Sequence, residues 1–88
     1  MKQFDIKMPV QVNGRIMSEM IRLFNKYDSK IIVTKDDIQR QVDGKSLCGL
    51  YSLSISSFNV LHITVIGDYE ELDSIDLQDQ LKFLMMKY

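Results

Sequence analysis

Apolar and polar residues alternate at the start of this chain. Phe4, Ile6 and Met8 are separated by Asp5 and Lys7, the period of a half-buried strand. Pro9 closes that strand, because it has no amide hydrogen for a ladder. The spacing then changes: Ile16, Met17, Met20, Ile21, Phe24 and Tyr27 recur at helical intervals and predict a helix from Arg15 to about Tyr27. Asn13 and Gly14 precede it, and Asn is a favoured N-cap. After Asp28-Ser29, the β-branched run Lys30 to Thr34 predicts a second strand. Lys35-Asp36-Asp37 is expected to turn, and Ile38 to Val42 to return as a weaker third strand. Asp43-Gly44 breaks the pattern.

Ser46 opens a short apolar run with Leu47, Leu50 and Tyr51 on one helical face, which predicts a helix of about two turns. Asn59 to Ile66 is the strongest strand pattern. Leu61, Ile63 and Val65 face one way, and Val60, His62, Thr64 and Ile66 the other. Gly67-Asp68 ends it. In the last segment Leu77, Leu81, Leu84, Met85 and Tyr88 form one stripe. Leu72 and Ile75 lie off it, so a kink or false start is expected near Asp73-Ser74. The order β-α-β-β-α-β-α predicts an α+β architecture, with helices on one face of a mostly antiparallel sheet.

Length makes this one compact domain over residues 1–88, and a hydrophobic content of 45% argues against disorder. Eleven basic against twelve acidic side chains leave a formal charge of −1, so no broad attraction to nucleic acid or to anionic membranes is expected. One cysteine, Cys48, allows no internal disulfide, and no Cys/His cluster suggests a metal site. No cofactor is implied. The chain opens without the apolar core of a signal peptide, and no apolar run is long enough to span a bilayer. A cytoplasmic location is the expectation.

The run Lys45-Ser46-Leu47-Cys48-Gly49-Leu50-Tyr51-Ser52-Leu53 resembles the regulatory-serine segment of HPr, the histidine-containing phosphocarrier of the bacterial sugar phosphotransferase system. The resemblance extends over nearly the whole chain. It is close from Asp43 through Gly67, looser around Lys35–Gln39, where two extra residues fall, and general in the last helix. It implies a four-stranded antiparallel sheet of order 1-4-2-3 with three helices on one face. In the family a histidine at the start of the first helix carries phosphate. The matching segment here reads Val12-Asn13-Gly14-Arg15, with Asn13 at the histidine's place, Arg15 at a family arginine and Ile16 at a family proline. The only histidine, His62, lies far downstream.

An imidazole is a neutral nucleophile near pH 7 and leaves well once protonated. A carboxamide nitrogen is neither, because its lone pair is delocalised. The resemblance therefore implies an HPr-like, non-enzymatic binding module without histidine phosphotransfer, as in the catabolite-repression HPr-like proteins, where glutamine usually takes the histidine's place. Asn13 reads either as a plain helix cap or, with Gly14 and Arg15, as a retained anion pocket. His62, alternating with apolar neighbours in a strand, is not expected to act as acceptor.

In the family, the serine matched by Ser46 is phosphorylated by HPr kinase/phosphorylase, and the modified protein docks on catabolite control protein A. Ser46 reads equally as an N-cap and as such a regulatory site, where helix amides and dipole would favour a phosphate. By resemblance the partner-binding face comprises Arg15, Met17, Met20, Leu47, Cys48 and Tyr51. Core packing is the competing reading for Met17 and Met20, and Cys48 is expected to be a partly buried spacer. Ile32, Val60, His62, Thr64 and Ile66 would line an apolar uncovered sheet face, compatible with a monomer or weak dimer. Two other functions stay open: a phosphocarrier with a non-standard acceptor, and an HPr fold recruited to an unrelated protein interaction.

Overall fold

The computed structural model describes residues 1–36 and 38–88, and the side chains of these apart from 38 and 39. The expected turn at Lys35-Asp36-Asp37 therefore lies partly outside the described residues. The elements are β1 (Lys2–Lys7), α1 (Gly14–Phe24), β2 (Lys30–Lys35), β3 (Ile38–Asp43), α2 (Leu47–Tyr51), β4 (Val60–Ile66) and α3 (Glu70–Met86). They form a four-stranded sheet of order β1-β4-β2-β3 in which every pairing is antiparallel. The expected α+β architecture and strand order are both observed.

Period-two alternation decides which way each strand faces. Ile6 of β1, Ile31 and Val33 of β2, Val42 of β3, and Leu61, Ile63 and Val65 of β4 are buried. They join Ile16, Met17, Met20 and Phe24 of α1, Leu50 of α2, and Leu77, Leu81 and Leu84 of α3 in one core cluster. On the other face, Ile32, Val60, His62 and Thr64 are half-buried and Ile66 is exposed.

Apart from one-residue shifts at element ends, the structure departs from the sequence expectation at three places. Helix α1 stops at Phe24, three residues before Tyr27. The Asn25 backbone amide donates to the Ile21 carbonyl at 3.0 Å and the Lys26 amide to the Leu23 carbonyl at 3.1 Å, while the Asn25 side-chain amide donates to the Ile21 carbonyl at 2.9 Å. Tyr27 is buried all the same, from the turn that follows. Strand β1 ends at Lys7, and Met8 reaches the core beyond it, with its amide on the Asn59 carbonyl at 2.8 Å.

The break expected near Asp73-Ser74 does not occur, because α3 runs uninterrupted over 17 residues. Ser74 continues the inward stripe one turn before Leu77: it is small, nearly buried, and donates its hydroxyl to the Glu71 carbonyl at 2.9 Å. Leu72 and Ile75 belong to the opposite, exposed face. Two ties fasten α3 to the β2 side of the molecule. The Ser29 hydroxyl donates to Asp73 at 2.6 Å, and the Tyr27 hydroxyl donates to Asp76. Burial first, then the Asp76 carboxylate, pushes the Tyr27 phenol well above its ordinary value.

The turn leading into α2 closes tightly on the core. A Cβ on Gly44 would lie 2.9 Å from Ile31 Cγ2 and 3.2 Å from atoms of Phe24 and Val33. Gly44→Ala is therefore expected to cost about 1–3 kcal/mol through overpacking. Leu81→Ala should cost about 2–5 kcal/mol through the cavity it leaves. Urea unfolding checks both, and an unchanged midpoint for Gly44→Ala would contradict this packing.

Candidate functional site

Two helix starts carry the residues singled out above. At the first, Asn13 is extended (φ −140°, ψ −179°) and its side-chain Oδ1 accepts from the Ile16 amide at 3.1 Å. Its carbonyl accepts from Met17 at 3.2 Å. Asn13 is thus a side-chain N-cap, satisfying one of the first-turn amides that a helix leaves unpaired. Beside it the Tyr51 hydroxyl stands over Gly14, 3.6 Å from where a Cβ would be. Val12, Asn13, Gly14, Met17, Tyr51, Ser54 and Ile55 line a cleft of about 170 Å³.

The wall of this cleft is a loop held under strain. Ser54 (φ 52°) and Phe58 (φ 64°) adopt the left-handed conformation that L-residues disfavour. Buried Lys35 reaches from the end of β2 to the Ser54 carbonyl at 3.1 Å. Asn59 Oδ1 accepts from the Ser56 amide at 2.7 Å and from the Ser56 hydroxyl at 3.0 Å. The Ser57 hydroxyl donates to the Val10 carbonyl at 2.5 Å, and the Phe58 amide donates to the Pro9 carbonyl at 3.4 Å. The loop before α1 and the loop after α2 are thereby joined along their length, which fixes the mouth of the cleft.

At the second helix start, Ser46 is half-buried and extended (φ −104°, ψ 118°), and its hydroxyl oxygen accepts from the Gly49 amide at 3.1 Å. The Asp43 carboxylate accepts from the Lys45 amide at 2.9 Å, and the Lys45 ammonium donates to the Tyr27 carbonyl at 2.6 Å. Gly49 lets α2 lie against β3: a Cβ there would be 3.3 Å from the Asp43 carbonyl and the Val42 and Ser46 side chains.

Exposure sorts the expected partner face. Arg15, Leu47, Cys48 and Tyr51 are exposed. Met17 and Met20 are not available to a partner as expected: Met20 is fully buried, and Met17, 3% exposed, forms the floor of the cleft. Both lie on the α1 stripe that faces the sheet, and core packing wins for both. Cys48 is exposed rather than partly buried, because it points away from Leu50, which alone in α2 enters the core. Sequence reasoning passed over Val10 and Phe58, exposed apolar residues in the two joined loops. They sit in loops, where no periodicity marks them.

His62 lies on the sheet face opposite the helices, with Asp5 of β1 directly across from it in register. Its Nδ1 is 2.7 Å from Asp5 Oδ1, and its Nε2 contacts Asp36 Oδ1. A neutral imidazole has one N–H, so two carboxylates are both satisfied only by the imidazolium. The Asp5 hydrogen bond, then that of Asp36, raises the His62 pKa above 6.5. The partnership is invisible in the sequence, since it depends on the β1–β4 register and on the end of β2.

Among the described residues no group of three or more His, Cys, Asp or Glu side chains could hold a metal, and no helix is long and apolar enough to cross a membrane. The open-faced sandwich with its two capped helix starts defines the class, and comparison with known proteins identifies the family. The chain belongs to the HPr family of the phosphotransferase system: the family described as "PTS HPr component phosphorylation site" matches residues 1–82. Proteins of this family are phosphocarriers or HPr-fold regulators that interact with other proteins.

The HPr-like protein Crh of Halalkalibacterium halodurans is 29% identical over 70 residues, 80% of this chain and 81% of that protein. HPr-C-His from Thermoanaerobacter tengcongensis superposes with a TM-score of 0.84 at 29% identity, covering 97% of this chain and 96% of its own. The HPr dimer from the same organism gives 0.69 at 30% identity, covering 93% and 94%.

Because the folded His62 pKa is raised, its contribution to stability is fully present below about pH 6.5, the unfolded value. It is lost as pH rises through the higher folded value. Asp5→Asn should lower the His62 pKa and flatten stability against pH in that window. An NMR titration of the imidazole, followed alongside urea midpoints, checks the direction.

Proposed function

We propose that this chain is a non-enzymatic, regulatory member of the HPr family that does not relay phosphate through histidine and is switched by phosphorylation of Ser46. The observation that carries the first half is the side chain at the start of α1. Asn13 spends its oxygen on the Ile16 amide, and its amide nitrogen has no basic lone pair with which to attack phosphorus. The one imidazole is held by Asp5 and Asp36 on the far side of the sheet.

Ser46 supports the second half. Its hydroxyl caps α2, so a phosphate placed there meets first-turn amides and the positive end of the helix. The Asp43 carboxylate, three residues earlier, opposes that gain. The kinase would be of the HPr kinase/phosphorylase type, and the reader of the phosphorylated form a regulator resembling catabolite control protein A, both in the cytoplasm. Docking would use Arg15, Leu47, Cys48 and Tyr51, with Asn13 and Gly14 as an anion-binding corner. A cleft of about 170 Å³ is below the roughly 300–1,000 Å³ of small-molecule sites, which fits a partner's side chain better than a substrate.

Incubation with phosphoenolpyruvate, enzyme I and labelled phosphate should leave no acid-labile label on the chain. Asn13→His should gain some. Label on the parent protein would establish a phosphocarrier with another acceptor and refute the first half. With HPr kinase and ATP, the parent should take up acid-stable phosphate and Ser46→Ala none. That variant also loses a cap worth about 1 kcal/mol, so circular dichroism must show it folded. Equal uptake by Ser46→Ala would refute the second half.

A further inference from the structure

We infer that the outer face of α3 is a self-pairing surface, on which a second copy of this chain docks antiparallel about a two-fold axis at Asp79. The inference does not depend on the function proposed above. Helix α3 is apolar on two opposite sides. Ser74, Leu77, Leu81 and Leu84 face the core. At 3.6 residues per turn, Leu72, Ile75, Asp79, Phe83 and Met86 form a second stripe on the far side. Its four apolar members are between 57% and 83% exposed. A helix needs one such stripe to pack on its own domain. Among the described residues the second stays largely open to solvent, with only the Lys87 ammonium over the Phe83 ring, 5.8 Å from its centroid, and a groove beside α1 at Phe83.

The order of residues says what fits it. The intervals from Leu72 to Met86 are three, four, four and three, so the stripe reads the same in both directions from Asp79. A copy laid antiparallel sets Leu72 level with Met86 of the partner subunit, and Ile75 level with Phe83 of the partner subunit. Charge agrees. Exposed Glu71 and Asp76 flank the first half of the stripe and exposed Lys82 and Lys87 flank its end, whereas Glu70 and Asp73 turn to the Met1 ammonium and to Ser29. Antiparallel docking lays each acidic half along the other's basic half and opposes the two helix dipoles. An anionic lipid surface, by contrast, would be repelled by Glu71, Asp76 and Asp79.

The one mismatch is Asp79, which meets its own copy at the axis. This repulsion keeps the pairing weak and self-specific. Size points the same way, because a stripe about 21 Å long and about 10 Å wide offers roughly 200 Å², short of the roughly 800 Å² per partner of a standard interface. The dimer is therefore expected at high protein concentration.

Sedimentation of the full chain across a concentration series should show monomer–dimer exchange. Asp79→Asn should tighten the dimer about tenfold, the scale of one close like-charge contact at a surface. Phe83→Glu and Ile75→Glu should abolish it, with the far-ultraviolet spectrum unchanged because both sites are exposed. In a Cys48→Ser background, Asp79→Cys should cross-link to its copy under mild oxidation, and Ile66→Cys on the open sheet face should not. A chain that stays monomeric at millimolar concentration overturns the proposal. So does a dimer indifferent to Phe83→Glu, or one cross-linked through Ile66→Cys in place of Asp79→Cys. If Phe83→Glu instead removes binding to anionic vesicles by a monomer, the stripe is a lipid contact and the proposal fails.

Discussion

Strand β4 pairs with β1 on one side and β2 on the other, over six positions each, and the rest of the molecule is arranged by that double ladder. Neither neighbour adjoins β4 in the sequence, so its register cannot be set by a hairpin turn. It is set by Leu61, Ile63 and Val65, which must all enter the core together. A slip of one residue would send His62 and Thr64 inward and expose three buried side chains. The same constraint places the only imidazole on the face away from every helix start. The location of His62 is thus a consequence of packing, and its partnership with Asp5 follows from register.

The two helix caps show how one local device can carry different chemistry. Asn13 and Ser46 do the same structural work, each accepting the amide three residues on at 3.1 Å. Either would be retained for capping alone. They part in what remains after the cap is made. A hydroxyl oxygen keeps a lone pair and a transferable proton, while a carboxamide keeps an oxygen lone pair and two N–H donors but no nucleophilic nitrogen. Ser46 is therefore compatible with modification and Asn13 with hydrogen bonding. Lys45, whose ammonium is drawn to the Tyr27 carbonyl, ties the approach to Ser46 into the turn after α1. In this way α1 and α2 are linked at both ends, by Lys45 at one and by Tyr51 over Gly14 at the other.

Much of this was legible in the sequence, and the reasons for what was not are physical. Alternation marks strands and their inward faces because side chains repeat every two residues, so β4 could be read nearly to its ends. Caps are legible because a side chain and an amide three residues apart decide them. Exposure of single helical residues is less so. Met17 and Met20 share the α1 stripe with Ile16 and Phe24, and spacing cannot tell a stripe that packs on its own sheet from one offered to a partner. Cys48 is exposed because a five-residue helix commits only Leu50 to the core. The pinning of Ser54 by Lys35 and the pairing of His62 with Asp5 and Asp36 join residues distant in the chain, and no local pattern announces them.

Helix α3 is where periodicity misleads, and the reason is informative. Leu72 and Ile75 look like a false start when one apolar stripe is sought, because they lie half a turn from Leu77 and Leu81. The helix is unbroken, so the misfit resides in the assumption of a single stripe. Ser74 belongs to the inner one despite its hydroxyl, which it satisfies on the Glu71 carbonyl. The outer residues are then left facing water over about four turns. The helix does not depend on them for its anchorage, since Ser29 and Tyr27 hold it through Asp73 and Asp76. The acidic first half and basic end further restrict what could cover that face, because a parallel partner of the same sequence would set like charges side by side. An antiparallel one relieves all of them except Asp79, and that single residue decides whether the contact is permanent or transient.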